Sequence, residues 1–137
     1  MKTARDLMTS PAECLSSDET LVTAARMLSK YDIGSMPVVD GDELVGILTD
    51  RDIVIQGVSK GLDLSTATVG EIATSDVVTV EPDAGADAVA KLMSENQVRR
   101  LPVVENGSVI GVIAQADVAR ELSEDKTGEV VGDISKS

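Results

Sequence analysis

The sequence predicts a mixed α/β fold in which one small unit, made of a short strand, a helix, a hairpin and a closing helix, is written twice. Three observations carry this. Met36-Pro37-Val38-Val39-Asp40 returns as Leu101-Pro102-Val103-Val104-Glu105, and Leu44-Val45-Gly46-Ile47-Leu48 returns as Val109-Ile110-Gly111-Val112-Ile113, both at a constant shift of 65 residues. Within each copy, runs of β-branched residues alternate with a segment whose apolar residues fall at helical spacing. The 137 residues are 42% hydrophobic yet contain no Phe, no Trp and one Tyr, so the core has to be aliphatic.

Each copy opens with a short helical lead-in, Ala4 to Met8 in the first and Val69 to Ala73 in the second. A short strand follows, Glu13 to Leu15 and then Val77 to Val80, the latter plainly β-prone. Ser17-Asp18-Glu19 and Pro82-Asp83 supply the polar residues that start helices. The first long helix is expected from Thr20 to Tyr31, with Leu21, Ala24, Ala25 and Leu28 on one face and Gly34 to its C-terminal side. Its counterpart runs from Ala84 to Asn96, with Ala86, Val89, Ala90 and Met93 aligned. Met27, Leu28, Leu92 and Met93 read as core filler. Two hairpins come next: Met36 to Val39 with Leu44 to Leu48 across Asp40-Gly41-Asp42, and Leu101 to Val104 with Val109 to Ala114 across Glu105-Asn106-Gly107. The closing helix of the first copy is expected from Asp50 to Gln56, with Gly57 placed to end it.

The repeat divides the chain into residues 1–58, a linker at 59–68, a second copy at 69–123, and a tail or short helix at 124–137, where Val131-Gly132-Asp133-Ile134 echoes Val69-Gly70-Glu71-Ile72. A unit of about 60 residues buries only about 60% of its unfolded surface and is marginal alone. The two copies are therefore expected to pack sheet to sheet as a pseudo-two-fold pair.

Composition excludes several functions. Net charge is −12, from 24 acidic and 12 basic residues, which opposes nucleic acid and anionic membranes. With Tyr31 as the only aromatic side chain there is no stacking platform for single strands. Cys14 is the only cysteine and histidine is absent, so neither an intrachain disulfide nor a zinc site within one chain is expected. Cys14 itself reads as an inert core residue, the other reading being a thiol that links two chains. No apolar leader opens the sequence and no apolar run approaches 18 residues, so the expectation is a soluble, cytoplasmic protein.

The chemistry concentrates at Thr49-Asp50-Arg51-Asp52, the join of a strand and a helix. A helix start offers unpaired N–H groups to an anion, Thr49 adds a hydroxyl, and a carboxylate at Asp52 accepts two hydrogen bonds, as a vicinal diol requires. That set suits the phosphate and ribose of a nucleotide. Thr-x-x-Asp is equally a helix capping box with a purely structural role. No nucleophile–base set, P-loop or Gly-x-Gly-x-x-Gly is present, and the carboxylate pair Asp50 and Asp52 lies on a solvated helix start, so no enzyme is expected.

Taken together and in order, the repeated x-Pro-Val-Val, the Val/Ile-Gly-Ile/Val that follows it and Gly-x-x-Thr-x-x-Asp at 46 to 52 resemble a tandem pair of CBS domains, over about residues 4 to 122. The resemblance implies β-α-β-β-α units with clefts between them that take adenosine-containing ligands: AMP, ADP, ATP or S-adenosylmethionine. None of these is an obligatory cofactor. It also implies a homodimer and an unidentified protein effector. Carried onto this sequence, it gives Asp52 the ribose and Thr49 the phosphate, with Arg51, Asp117, Pro37 and Pro102 in the same motifs. Arg99 and Arg100 stand where family members place cations that contact phosphate; the other reading of that pair is a solvated or salt-bridged surface. The copies are unequal. Ala114 replaces Thr49, Gln115-Ala116 replaces Asp50-Arg51, and Gly34-Ser35 stands at the places of Arg99-Arg100. One good cleft and one degraded or differently filled cleft are expected. The competing expectation is a stress-linked interaction protein whose clefts are vestigial and bind nothing.

Overall fold

A computed structural model describes residues 2–129, with side chains through residue 123. In chain order its elements are α1 (Ala4–Leu7), β1 (Leu15–Ser16), α2 (Leu21–Tyr31), β2 (Ser35–Asp40), β3 (Glu43–Thr49), α3 (Asp50–Asp52) continuing as a π-helical turn (Ile53–Val58), α4 (Val69–Ile72), α5 (Ala86–Asn96), β4 (Arg100–Glu105), β5 (Ser108–Ala114) and α6 (Gln115–Glu129). This is the mixed α/β fold that the sequence predicts. The Val131–Ile134 echo lies outside the described residues.

The chain forms two compact units, and their membership interleaves. One contains residues 12–77 with 106–109; of the described residues, the other contains 2–11, 78–105 and 110–129. Each unit thus takes its lead-in from the other copy of the repeat. In the first-copy unit, Ile47 and Thr74 exchange two backbone bonds of 2.9 Å, so the lead-in that starts the second repeat is stitched to β3. In the second-copy unit, Thr9 and Val112 make the same pairing at 2.9 and 3.1 Å, stitching the first lead-in to β5. The repeat, 1–58 and 69–123, describes the sequence; packing regroups it.

In the first-copy unit, β1 runs parallel to β2, with Leu15 opposite Val38. β2 and β3 are antiparallel, Pro37 opposite Ile47 and Val38 opposite Gly46, with an irregularity between Val38 and Val39. Leu15, Leu21, Ala24, Leu28, Met36, Val38, Leu48, Ile53 and Val69 form the core. Leu64 and Ala67 of the linker pack on it, and their carbonyls accept from Val22 and Leu21, so this connection is part of the folded unit. In the second-copy unit, Ala4, Val80, Val89, Met93, Leu101, Val103, Ile113 and Val118 form the corresponding core. Both cores are aliphatic, and Met27 and Leu92 are partly buried against them as the helical spacing predicts.

Local differences from the expected elements have local causes. The run Val77 to Val80 makes only one parallel bridge, Val80 to Val103, because a single pair of bonds to Pro102 and Val104 joins it to β4. The long helices begin one or two residues late, at caps Thr20 and Gly85, and Thr20 Oγ1 accepts from Thr23 N–H at 3.2 Å. They end on Asp32 and Gln97, both at φ 53°, rather than on a glycine. Gly57 does not end the closing helix. The π-helical turn passes through it, with Ser59 N–H bonded back to Val54 O at 2.9 Å. Asn106 and Gly107, at φ 54° and 84°, make the hairpin turn that two consecutive positive φ values define. Among the described residues, no helix is long and apolar enough to cross a membrane.

Candidate functional site

The strand-to-helix junction of the first-copy unit is fixed by a short set of bonds. Gly34 O accepts from Asp50 N–H at 2.9 Å and anchors the start of the helix against the strand entering β2. Thr49 Oγ1 accepts from Asp52 N–H at 3.0 Å, and Thr49 N–H donates to Asp52 Oδ2 at 3.0 Å. The capping box is closed, so the structural role of Thr-x-x-Asp is realised. It also leaves specific valences open. Both side chains are half-buried, and among the described residues Thr49 retains its hydroxyl hydrogen and Asp52 retains Oδ1. A carboxylate locked by its own cap is preorganised, and its outer oxygen keeps its lone pairs for a ligand. Beside it, Asp50 Oδ1 accepts from Arg51 N–H at 2.7 Å, and the exposed Arg51 side chain has no ion pair among the described residues.

The second copy builds the same junction differently. Gln115 N–H donates to Arg99 O at 2.7 Å, the counterpart of the Gly34–Asp50 bond. Ala114 brings no hydroxyl, and Asp117 Oδ1 accepts from Arg120 Nη2 at 2.6 Å. Arg99 is exposed and Arg100 half-buried, and neither makes a side-chain hydrogen bond or ion pair among the described residues. Among the described residues both guanidiniums keep their donors available. Thr49, Arg51 and Asp52 therefore stand together at one junction, Asp117 stands at the other, and Arg99 and Arg100 lead into β4. Pro37 and Pro102 are buried inside β2 and β4, where Pro102 O accepts from Val80 N–H at 3.1 Å. They shape the strands and offer no side-chain polar group.

In the second-copy unit, α1 and α6 flank a half-open cavity of about 250 Å³ lined by Lys2, Asp6, Leu7, Asp117, Arg120 and Glu121. Sequence reasoning singled out only Asp117 of these. The signal for the others was available in the repeat, because Lys2, Arg120 and Glu121 stand where the first-copy unit has Ala67, Ile55 and Gln56. Asp6 belongs to a cap of its own: its Oδ2 accepts from Thr3 N–H at 2.9 Å and from the Thr3 hydroxyl at 3.1 Å, which holds its carboxyl below the usual range.

Among the described residues, no three His, Cys, Asp or Glu side chains converge as metal ligands would. Cys14 is half-buried, and burial followed by the neighbouring Glu13 charge pushes its thiol up from the ordinary value. The reactive form is the thiolate, so at pH 8 iodoacetamide is expected to label Cys14 several-fold more slowly in the native chain than in urea-unfolded chain. The gap should narrow only at a pH above the raised native value, where the thiol ionises in both states. Equal rates at pH 8, followed by mass spectrometry, would show the thiol to be unprotected.

A family model described as CBS domain matches residues 4–56 and 69–124. The chain is 44% identical over 125 residues to Hypoxic response protein 1 of Mycobacterium tuberculosis, covering 90% of this chain and 87% of that protein. A crystal structure of Hypoxic Response Protein I with two coordinated zinc ions superposes with a TM-score of 0.79 at 43% identity, over 88% of this chain and 99% of that one. CBSX2 in complex with AMP gives a TM-score of 0.79 at 26% identity, over 92% and 99% of the two chains. A CBS domain pair holding 5′-methylthioadenosine and S-adenosyl-L-methionine gives 0.77 at 30% identity, over 92% and 99%.

Proposed function

This chain belongs to the CBS-domain family, and on that premise we propose that it is a regulatory module that binds an adenosine-containing ligand at the Thr49–Asp52 junction and signals the bound state to a protein partner. The observation that carries the reading is the state of Asp52, a carboxylate held by its cap bond to Thr49 N–H with its outer oxygen uncommitted. A ribose diol needs an acceptor in that form, and the remaining hydroxyl hydrogen of Thr49 suits a phosphate or carboxylate oxygen, whereas the N–H groups of Asp50, Arg51 and Asp52 are already bonded to Gly34 O, Asp50 Oδ1 and Thr49 Oγ1. The ligands held by the related CBSX2 and by the related domain pair, AMP and S-adenosyl-L-methionine, support the class. AMP, ADP, ATP and S-adenosyl-L-methionine are the compounds to try.

The module acts in the cytoplasm by binding rather than by catalysis. Ligand occupancy would shift its population of conformers, and the output is another protein. Melting temperature followed against each compound tests this. A rise of several degrees is expected at saturation with at least one, and no rise with any at millimolar concentration would remove the proposal.

A second reading, a ligand-free interaction protein, is favoured by Ala114 and by the closed capping box, which gives Thr49 and Asp52 a sufficient structural role.

The proposal includes a homodimer. Val54, Ile55 and Val58 on the π-helical turn are 55%, 42% and 57% exposed, whereas the repeat puts Ala119, Arg120 and Ser123 at the same places. An aliphatic face that the other copy does without calls for cover, and for a chain of net charge −12 apolar burial is the favourable term for self-association. Val58→Asp is expected to convert a dimer into a monomer by light scattering with little change in melting temperature. A wild-type chain that is monomeric at about 100 μM would exclude the dimer.

A further inference from the structure

We propose that the cavity between α1 and α6 is a binding site for a small zwitterion, a ligand of the amino-acid class carrying an ammonium and a carboxylate. Glu121 is the central group. Its side chain is 9% exposed, yet its ion-pair partner Lys2 is 58% exposed and sits 3.5 Å away, beyond hydrogen-bonding distance for a firm charge-assisted contact. A solvated lysine at that range leaves the carboxylate able to accept a closer cation. A ligand ammonium entering the cavity can approach Glu121 to ordinary hydrogen-bond distance. Lys2, displaced from that contact, and Arg120 then present cations to the ligand carboxylate. Arg120 is joined to Asp117 through a single nitrogen at 2.6 Å and so retains further donors in its planar fork.

The internal repeat is the control. The first-copy unit has the same fold and builds the equivalent place from Ala67, Ile55 and Gln56, with Glu71 and Asp52 where Asp6 and Asp117 stand. The fold therefore does not require Lys2, Arg120 or Glu121 there, and an ion-pair cluster on an otherwise tolerated surface contributes little stability. Charge also selects the ligand class. Three carboxylates face two cations around the cavity, and that excess of negative charge disfavours a di- or triphosphate. A volume of about 250 Å³ accommodates an amino-acid head group. This inference stands apart from the nucleotide reading of the Thr49–Asp52 junction, which concerns other residues.

Isothermal titration of the full chain tests it, with L-methionine and S-adenosyl-L-methionine as probes and AMP as the phosphate control. Glu121→Gln and Arg120→Ile install the residues the other copy carries, so both should fold, as their melting temperatures will show. At least one zwitterion is expected to bind the wild type, to weaken about tenfold or more in Glu121→Gln, and to be unaffected by Asp52→Ala. The tighter of the two probes tells whether the source is a free amino acid or an adenosyl amino acid. The proposal is overturned if neither zwitterion binds the wild type, if Glu121→Gln leaves the affinity unchanged, or if binding is lost in Asp52→Ala alone. Loss in Asp52→Ala alone places S-adenosyl-L-methionine at the other junction.

Discussion

Asp52→Ala is expected to eliminate the rise in melting temperature that AMP, ATP or S-adenosyl-L-methionine gives the wild type. The carboxylate does two separable jobs. Through Oδ2 it accepts from Thr49 N–H at 3.0 Å and caps the helix; through Oδ1 it would hold the ribose. Losing the cap costs about 1 kcal/mol, which lowers the melting temperature of the free protein by about 4 °C. Losing the diol contact removes ligand stabilisation, worth about 2.7 kcal/mol at a hundredfold excess over Kd. Asp52→Asn separates the two, because the amide oxygen still accepts from Thr49 N–H while the charge is gone. The asparagine variant should melt within about 2 °C of wild type without ligand and bind at least about tenfold more weakly. Were the chain a ligand-free scaffold, Asp52→Ala would show only the cap effect, Asp52→Asn would melt close to wild type, and no compound would move either curve. Equal ligand-induced shifts in wild type and Asp52→Ala would falsify the assignment of Asp52.

Gly46→Ala and Gly111→Ala are expected to differ sharply, although the two glycines occupy one position of the repeat. A Cβ on Gly46 would sit 2.8 Å from Thr74 O and 3.3 Å from Ala73 Cβ. Thr74 O is backbone and is already committed to Ile47 N–H at 2.9 Å, so it cannot move without breaking the pairing that holds the exchanged lead-in. A Cβ on Gly111 meets instead the side chain of Met8, its sulfur nearest, with Cγ at 2.7 Å and Cβ at 3.0 Å. Rotation of the methionine carries its sulfur and Cγ aside, so that only the tight 3.0 Å Cβ contact has to be relieved by a small backbone shift. Gly46→Ala should therefore cost about 3 kcal/mol and lower the melting temperature by about 10 °C, while Gly111→Ala costs about 1 kcal/mol. Comparable losses in the two variants, measured by denaturant unfolding, would show that the Met8 side chain is held as rigidly as the Thr74 backbone.

The same pair of glycines shows where sequence reading stops. The repeat places Gly46 and Gly111 at corresponding positions, and the structure brings another segment close to each. The repeat cannot say that the approaching segment belongs to the other copy, because chain order puts residues 4–8 next to the first hairpin. The bridges Thr9–Val112 and Ile47–Thr74 assign each lead-in to the opposite unit. The capping box at Thr49–Asp52 was legible because its bonds span three residues and depend on nothing distant. The cavity around Glu121 was not, because Lys2 lies more than a hundred residues away and meets it only after the lead-in crosses over. The π-helical turn was not legible either, since Gly57 invites a stop and the backbone runs through it while Leu64 and Leu21 close in beside the glycine.

The order of amino acids alone determined the duplication, the α/β class, the aliphatic cores, the hairpins and the chemistry available at Thr49, Asp52, Arg99 and Arg100. All of these follow from periodicity and local bonding, which act over a few residues. Tertiary structure decided which lead-in serves which unit, that Pro37 and Pro102 are buried in strands, and that Lys2, Asp6, Asp117, Arg120 and Glu121 line one cavity. Those are pairings of distant segments, and they are chosen by which apolar faces bury together rather than by any single stretch of chain.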